Sequence, residues 1–294
     1  MHSLFMLPAV IPIDEVHLET RRGSRRISVL RLDTIHPLTG GNKWFKLKEN
    51  LKHFYSGNYS AILSFGGAFS NHIAALADAG HQLGIPVIGI IRGEESAAQN
   101  PTLSRARAAG MKLVFVSRDS YRRYRYPTEW SALYEEFGDV LIVPEGGSNE
   151  AGVEGCKSIA GCIPEKFTDI ALAVGTGATL TGLALGLMGR SKVIGLKVLE
   201  AKQEHFIFSY PGISELPDGS LYLENRFTMG GYAVVHPDIE QFVNQWNKRH
   251  AIPIEPIYTG RLFYGIKALF EESFFSEKSE VLVIHTGGRQ YLDH

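Results

Sequence analysis

The sequence predicts an α/β protein organised around a parallel sheet. Short apolar runs at 61–65, 86–91, 111–116, 140–143 and 169–174 have the length of buried strands, and helical periodicity fills most of the gaps between them. Glycine or proline punctuates the changes, and strands alternating with helices at this pace imply right-handed crossovers between parallel neighbours. A chain of 294 residues, 44% hydrophobic, can bury one large core or two moderate ones, so a single or two-lobed body is expected.

In order, the chain opens irregularly, forms a strand at 27–32 and reaches the stretch 39–51, Thr-Gly-Gly-Asn-Lys-Trp-Phe-Lys-Leu-Lys-Glu-Asn-Leu. Gly40 and Gly41 suit a tight turn and Asn42 is a fair N-cap. Trp44, Leu47 and Leu51 then recur at helical spacing, which sets Lys43 on the first turn of a helix. The strand at 61–65 runs into Gly66-Gly67 and a helix beginning near Phe69. A strand at 86–91 precedes a helix at 101–110, closed by Gly110, and then the strand at 111–116. Residues 118–126, basic and tyrosine-rich, read as a solvated amphipathic helix. The strand 140–143 leads into Pro144-Glu-Gly-Gly-Ser-Asn149 and a helix carrying Cys156 and Cys162. The strand 169–174 ends in Gly175-Thr-Gly-Ala-Thr-Leu-Thr-Gly182. A strand at 191–199 follows, and then a stretch from 202 to 229 without a readable pattern. Helices at 237–250 and 260–270 precede a last strand, 280–284, closing in His285-Thr-Gly-Gly288.

Composition excludes several classes. The net charge of −1 and a pI of 6.8 provide no basic field for nucleic acid and no polybasic patch for anionic lipid. Arginines and tyrosines interleave at 118–126, but nothing else in the chain extends such a surface. Two cysteines are too few for a disulfide scaffold or a cysteine-ligated metal, which points to a reducing, cytoplasmic setting. The 11 histidines show no HExxH or other ligand spacing, so no metal is expected. No charge lies between Asp169 and Arg190, a run long enough to suggest a membrane span. Its glycine–threonine turns divide it into a strand of about six residues and a helix of about eleven, both too short to cross a bilayer. The first 12 residues lack a basic n-region and are interrupted by Pro8 and Pro12, so no signal peptide is read.

Three stretches carry candidate chemistry. A cation at a helix N-terminus opposes the macrodipole by about 0.3–1 kcal/mol, and partial burial there lowers its pKa, as a Schiff-base-forming amine requires. The plain alternative, in which Lys43, Lys46 and Lys48 solvate one helix face, leaves Gly40 and Gly41 unexplained. Gly175 to Thr179 offers backbone N–H groups at a helix start, with the hydroxyls of Thr176 and Thr179, as an anion cradle without a lysine. It is not a P-loop, because Leu183 and Ala184 follow Gly182. As a dinucleotide fingerprint it has Leu180 where the third glycine belongs, although Glu200 could serve as the ribose-binding acid. Glycines for close helix–strand packing are the competing explanation. Ser70-Asn71-His72 is an N-cap by default and a carboxylate site otherwise, with His72 a candidate ligand or base. The glycine-bearing turns after strands are expected along the carboxyl edge of one sheet, where open α/β folds bind ligands.

Taken together, Gly40-Gly41-Asn42-Lys43 with Lys46, Ser70-Asn71-His72, Gly175-Thr-Gly-Ala-Thr179, Tyr258-Thr259-Gly260 and His285-Thr-Gly-Gly288 resemble the pyridoxal-phosphate enzymes of the 1-aminocyclopropane-1-carboxylate deaminase and D-cysteine desulfhydrase family. The match runs in order over nearly the whole chain. It implies the tryptophan synthase β-like fold: two open twisted sheets flanked by helices, with pyridoxal 5'-phosphate in the interdomain cleft. A larger cofactor-binding domain would comprise 1–50 and 150–294, and a smaller substrate-side domain 51–149. By the same resemblance Lys43 carries the cofactor as a Schiff base and shuttles the substrate proton. Asn71 bonds the cofactor's phenolic oxygen, while Gly175, Thr176, Gly177, Ala178 and Thr179 hold its phosphate and Thr259 meets its pyridine nitrogen. Ser70, Asn71 and His72 would receive the substrate, with Ser70 also an acid–base group. Tyr232 and Tyr258 would flank ring and substrate and complete the catalytic set. Lys46 either supports the phosphate or faces solvent. A small amino-acid substrate and a homodimer are implied as well.

Two departures from the deaminase pattern bear on substrate. That pattern has glutamate at the position of Thr259 and glutamine at that of His72. A carboxylate keeps the pyridine nitrogen protonated and the ring a strong electron sink for opening a cyclopropane, whereas a hydroxyl holds that proton less firmly. β-Elimination of a good leaving group such as thiolate needs less, so D-cysteine breakdown to pyruvate, ammonia and sulfide is the expected reaction, with cyclopropane deamination the alternative. From other classes, a Rossmann nucleotide-binding protein would use Gly175, Gly177 and Glu200 but leave Lys43 without a purpose. A non-catalytic binding module on the same fold would be free to lose that lysine.

Overall fold

A computed structural model describes residues 10–36, 40–95, 100–199, 203–229 and 234–288. It divides into two compact units, one formed by Met1–Asn42 with Cys156–His294 and the other by Lys43–Gly155. Each has its own sheet.

The chain opens with regular structure where irregular structure was expected. Ile13–Thr20 (β1) and Gly23–Leu30 (β2) form an antiparallel hairpin across Arg21 and Arg22, with Thr20 paired to Gly23. Val16 and Leu18 are buried, while Glu15, His17 and Glu19 point outward, the period-two pattern of a half-buried strand. Charged alternate positions and a turn with no glycine at its centre hid it; Gly23, at φ 100°, takes the closing position instead.

The remaining strands are Ala61–Gly66 (β3), Val87–Arg92 (β4), Lys112–Val116 (β5), Val140–Val143 (β6), Asp169–Val174 (β7), Lys192–Lys197 (β8), Leu221–Glu224 (β9) and Val281–Ile284 (β10). In the Lys43–Gly155 unit the order is β5-β4-β3-β6, parallel throughout. In the other unit the order is β1-β2-β10-β7-β8-β9, parallel apart from β1. The glycine-bearing turns are therefore shared between two sheets and do not line one edge. Those at 66–67 and 144–149 follow the neighbours β3 and β6; those at 175–182 and 285–288 follow the neighbours β7 and β10. Strand–helix alternation is the same within either sheet, so it could not show where one ended.

The four-stranded sheet is covered by the Asn71–Leu83 helix, whose Ala74, Ala75, Ala77 and Ala79 are buried. Their small size lets it lie close to the strands, and a Cβ on Gly80 would fall 2.7 Å from Val87 Cγ1. The stretch 118–126 is amphipathic, as expected: Arg118, Asp119, Arg122, Arg123, Arg125 and Tyr126 are exposed, and Tyr121 faces inward. Ser117 caps a six-residue helix, Arg118–Arg123, and Tyr121 is buried edge-on to Phe65, with ring centroids 6.3 Å apart. Trp130 stacks on the same Phe65 ring, so these aromatics are core. Cys156 lies in the Glu150–Lys157 helix, but Cys162 falls in a separate 3-10 turn, Ser158–Cys162.

In the six-stranded sheet, β7, β8 and β10 pack with the Pro237–Arg249 and Thr259–Glu271 helices through Val283, Ile194, Trp246, Phe263 and Ile266. The run 169–190 resolves into β7 and a ten-residue helix, Ala178–Leu187. Among the described residues no helix is long and apolar enough to cross a membrane. The unreadable stretch contains a six-residue helix, Gln203–Phe208, a 3-10 turn, Ile213–Glu215, and the four-residue β9, each too short to show a period.

Candidate active site

The turn before Lys43 is built on a close backbone approach. Gly41 has φ 74°, and a Cβ there would fall 2.1 Å from the carbonyl oxygen of Thr286. The next residue, Asn42, begins the Asn42–Ser56 helix and does not act as its cap. Its backbone N–H donates to Thr286 O at 3.1 Å and its side-chain Nδ2 donates to Thr179 Oγ1 at 2.8 Å. The residue preceding Lys43 is thus tied to both turns that follow β7 and β10. His285 secures the second of these, its Nε2 lying 2.8 Å from Pro253 O and its Nδ1 accepting the Gly287 N–H. Lys43 sits on the first helical turn and is half-buried.

The turn after β7 has the form of an anion cradle. The Ala178–Leu187 helix starts behind Gly177, at φ 99°, a residue with no side chain to cap the first-turn N–H groups. A Cβ on Gly177 would lie 3.0 Å from Ile207 Cγ1 and 3.1 Å from Phe206 Cδ1. No acidic side chain occurs in Gly175–Gly182, so backbone dipoles set its charge preference, which is for an anion. Tyr258 stands beside it, its ring 3.4 Å from where a Cβ on Gly175 would project.

Thr259 is fully buried at the start of the Thr259–Glu271 helix, and its partner there is Glu255. Glu255 accepts the N–H groups of Ile257, Tyr258 and Thr259 and the Thr259 hydroxyl. Sequence reading passed over Glu255. The signal was present as an acid four residues ahead of a threonine at a helix start.

In the other unit, Ser70 is the N-cap of the Asn71–Leu83 helix, its Oγ accepting the Ile73 N–H at 3.2 Å; Asn71 is the first helical residue. His72 turns toward the sheet. Its Nε2 lies 2.9 Å from Ser64 Oγ, which donates its own hydrogen to Val143 O at 2.7 Å. The serine oxygen must therefore accept, which makes His72 the Nε2–H tautomer and leaves Nδ1 as a bare lone pair. Nδ1 is buried without a partner among the described residues. Burial, and then the charges of Lys43 and Lys46, hold the imidazole pKa well below its ordinary value. Lys46 does not face solvent: it is 2% exposed and donates to Gly146 O at 2.9 Å. Gly147 lies against both, since a Cβ there would sit 3.2 Å from His72 Cε1 and 3.3 Å from Lys46 Cβ. Tyr232 and Glu200 lie outside the described residues.

A family profile described as "Pyridoxal-phosphate dependent enzyme" matches residues 13–287. The chain belongs to that family. Among relatives of this pyridoxal-phosphate-dependent enzyme, a Pyrococcus horikoshii protein provisionally named 1-aminocyclopropane-1-carboxylate deaminase is 27% identical over 300 residues, covering 96% of this chain and 90% of its own. The bifunctional D-cysteine desulfhydrase/1-aminocyclopropane-1-carboxylate deaminase of Arabidopsis thaliana, a mitochondrial protein, is 27% identical over 319 residues, covering 97% and 77%. The crystal structure of an ACC deaminase homologue superposes with a TM-score of 0.78 at 25% identity, covering 98% of this chain and 95% of that one. The α/β fold with two helix-flanked sheets and the deaminase/desulfhydrase resemblance are both borne out, and the cofactor is pyridoxal phosphate.

The residues present suit that cofactor: the helix start behind Gly177 would suit a phosphate, and Lys43, half-buried, would offer a primary amine to an aldehyde.

Proposed function

We propose that this pyridoxal-phosphate-dependent lyase acts on a small amino acid by β-elimination, converting D-cysteine and water to pyruvate, ammonia and sulfide. The observation that carries this reading is the buried hydroxyl, and not a carboxylate, at Thr259, the residue taken to meet the cofactor's ring nitrogen. When bound, the cofactor supplies an electron sink conjugated to the substrate Cα. Lys43 would hold it and would take the substrate's Cα proton at Nζ, with thiolate as the leaving group at Cβ. Gly175 to Thr179 would hold the phosphate, Asn71 would bond the phenolic oxygen, and Ser70 with the adjacent N–H groups would receive the substrate carboxylate. Tyr258 would flank ring and substrate. His72, kept neutral by burial, adds no further positive charge to those of Lys43 and Lys46. A second reading, cyclopropane deamination, is favoured by Glu255 directly behind Thr259. The same reading takes the protein as a cytoplasmic homodimer.

The purified enzyme should show a visible cofactor band that shifts on addition of D-cysteine while sulfide and pyruvate accumulate in equal amounts. Lys43→Ala should lose both the band and turnover, since a placed base alone contributes roughly 10²–10⁴-fold. Undiminished turnover in that variant would exclude this mechanism. Sedimentation at twice the 32.5 kDa chain mass would support the dimer.

A further inference from the structure

Four donors converge on the Glu255 carboxyl. Oε2 accepts the Ile257 N–H at 2.7 Å; Oε1 accepts the Tyr258 N–H at 2.9 Å, the Thr259 N–H at 2.8 Å and the Thr259 hydroxyl at 3.1 Å. Burial raises its pKa, and these hydrogen bonds act in the opposite direction. A protonated carboxyl would need an acceptor for its own hydrogen, and these four contacts include none. The ionised form is the one that they fit, and the positive end of the Thr259–Glu271 helix favours it further. Helix capping accounts for three of the contacts. It does not account for the fourth.

The Thr259 hydroxyl has one hydrogen and two lone pairs. One lone pair accepts the Glu255 N–H at 2.9 Å. The hydrogen is directed to residue 255, at 3.1 Å from Oε1 and 3.4 Å from the main-chain oxygen. What remains is a single lone pair, so this hydroxyl can accept from a further group and cannot donate to it.

We propose that Glu255 is a positioning residue that fixes Thr259 as a hydrogen-bond acceptor, so that bound pyridoxal phosphate keeps its ring nitrogen as an N–H donating to Thr259 Oγ1. The proposal rests on the reading above in which Thr259 meets that nitrogen. Its consequence is chemical range. A protonated ring is the stronger electron sink, so the carboxylate acts at one hydroxyl's remove, and amino acids without a good leaving group, cyclopropane amino acids included, come within reach of the same site.

The test is nitrogen NMR of holoenzyme reconstituted with cofactor labelled with ¹⁵N in the ring. The native enzyme should give a pyridinium shift. Glu255→Gln places an amide N–H that can donate to Thr259 Oγ1 and frees the hydroxyl hydrogen, so the signal should move to the unprotonated pyridine position with the visible band retained. Thr259→Val removes the acceptor while leaving the three N–H bonds of Glu255, and should give the same change even if the glutamine variant does not fold. An unprotonated nitrogen in the native enzyme overturns the proposal, as does a pyridinium shift retained in Thr259→Val. Absence of the visible band defeats the underlying functional reading as well, whereas a normal band over an unprotonated ring defeats this proposal alone.

Discussion

A methyl group at residue 41 would fall on the Thr286 carbonyl oxygen, and an L side chain at φ 74° is strained in any case. Gly41→Ala should therefore cost about 3 kcal/mol, read as a fall of roughly 6–12 °C in the thermal midpoint. His72 sets a pH dependence. Its folded-state pKa lies well below 6.5, so between those values the unfolded chain binds the extra proton. The neutral ring's contribution is fully present above pH 6.5 and declines on acidification, by at most about 1.4 kcal/mol per pH unit. The ring resonances of His72 should not titrate between pH 8 and 6, and His72→Gln should flatten the stability profile; a midpoint near 6.5 would contradict both. Lys43, Ser70 and Gly41 were legible at this scale because position on a helix or turn follows from local spacing. Asn42 and Glu255 were not, since the cap expected at Asn42 is replaced by a bond to Thr179, 137 residues away, and Glu255 matters through the hydroxyl that it engages.

The elements that carry the candidate site residues are short, and those residues lie at or near their ends. The cradle behind Gly177 depends on a positive φ and on the close approach of Phe206 and Ile207, which leaves no room for a Cβ. Gly177→Ala should weaken cofactor binding about tenfold, near 1.4 kcal/mol, in an absorbance titration of the apo-enzyme with pyridoxal phosphate. Unchanged affinity would show that the first-turn N–H groups are not the phosphate ligands. Buried strands and the helices between them were readable from their continuous apolar runs. β1 was missed because only Val16 and Leu18 of its eight residues are buried, and β9 because four residues cannot establish a period.

Among the described residues there are two sheets, each with a hydrophobic cluster of its own, which suits independent cooperativity. Trp44 and Trp130 lie in the Lys43–Gly155 unit and Trp246 in the other, and they are the chain's 3 tryptophans. Single-tryptophan variants of the apo-enzyme should unfold in urea with non-coincident midpoints for the two sets. Added cofactor should raise the Trp246 midpoint with its concentration, because ligand held by the native state stabilises it by RT ln(1 + [L]/Kd). Coincident curves would indicate one cooperative body. Composition and alternation suffice for the class of fold, but the number of sheets depends on pairings between distant segments that carry no local mark. β10 takes its place between β2 and β7, and nothing in Val281–Ile284 by itself names those neighbours.

That placement has a consequence on the ribosome. β2 is synthesised well before its parallel neighbour β10, Leu30 pairing with Ile284. At roughly 5–20 residues per second the first hairpin waits about 12–50 s for the strand beside it, while the Lys43–Gly155 segment is already complete. For that interval the nascent polypeptide exposes an unpaired β2 edge, open to mispairing with other strands.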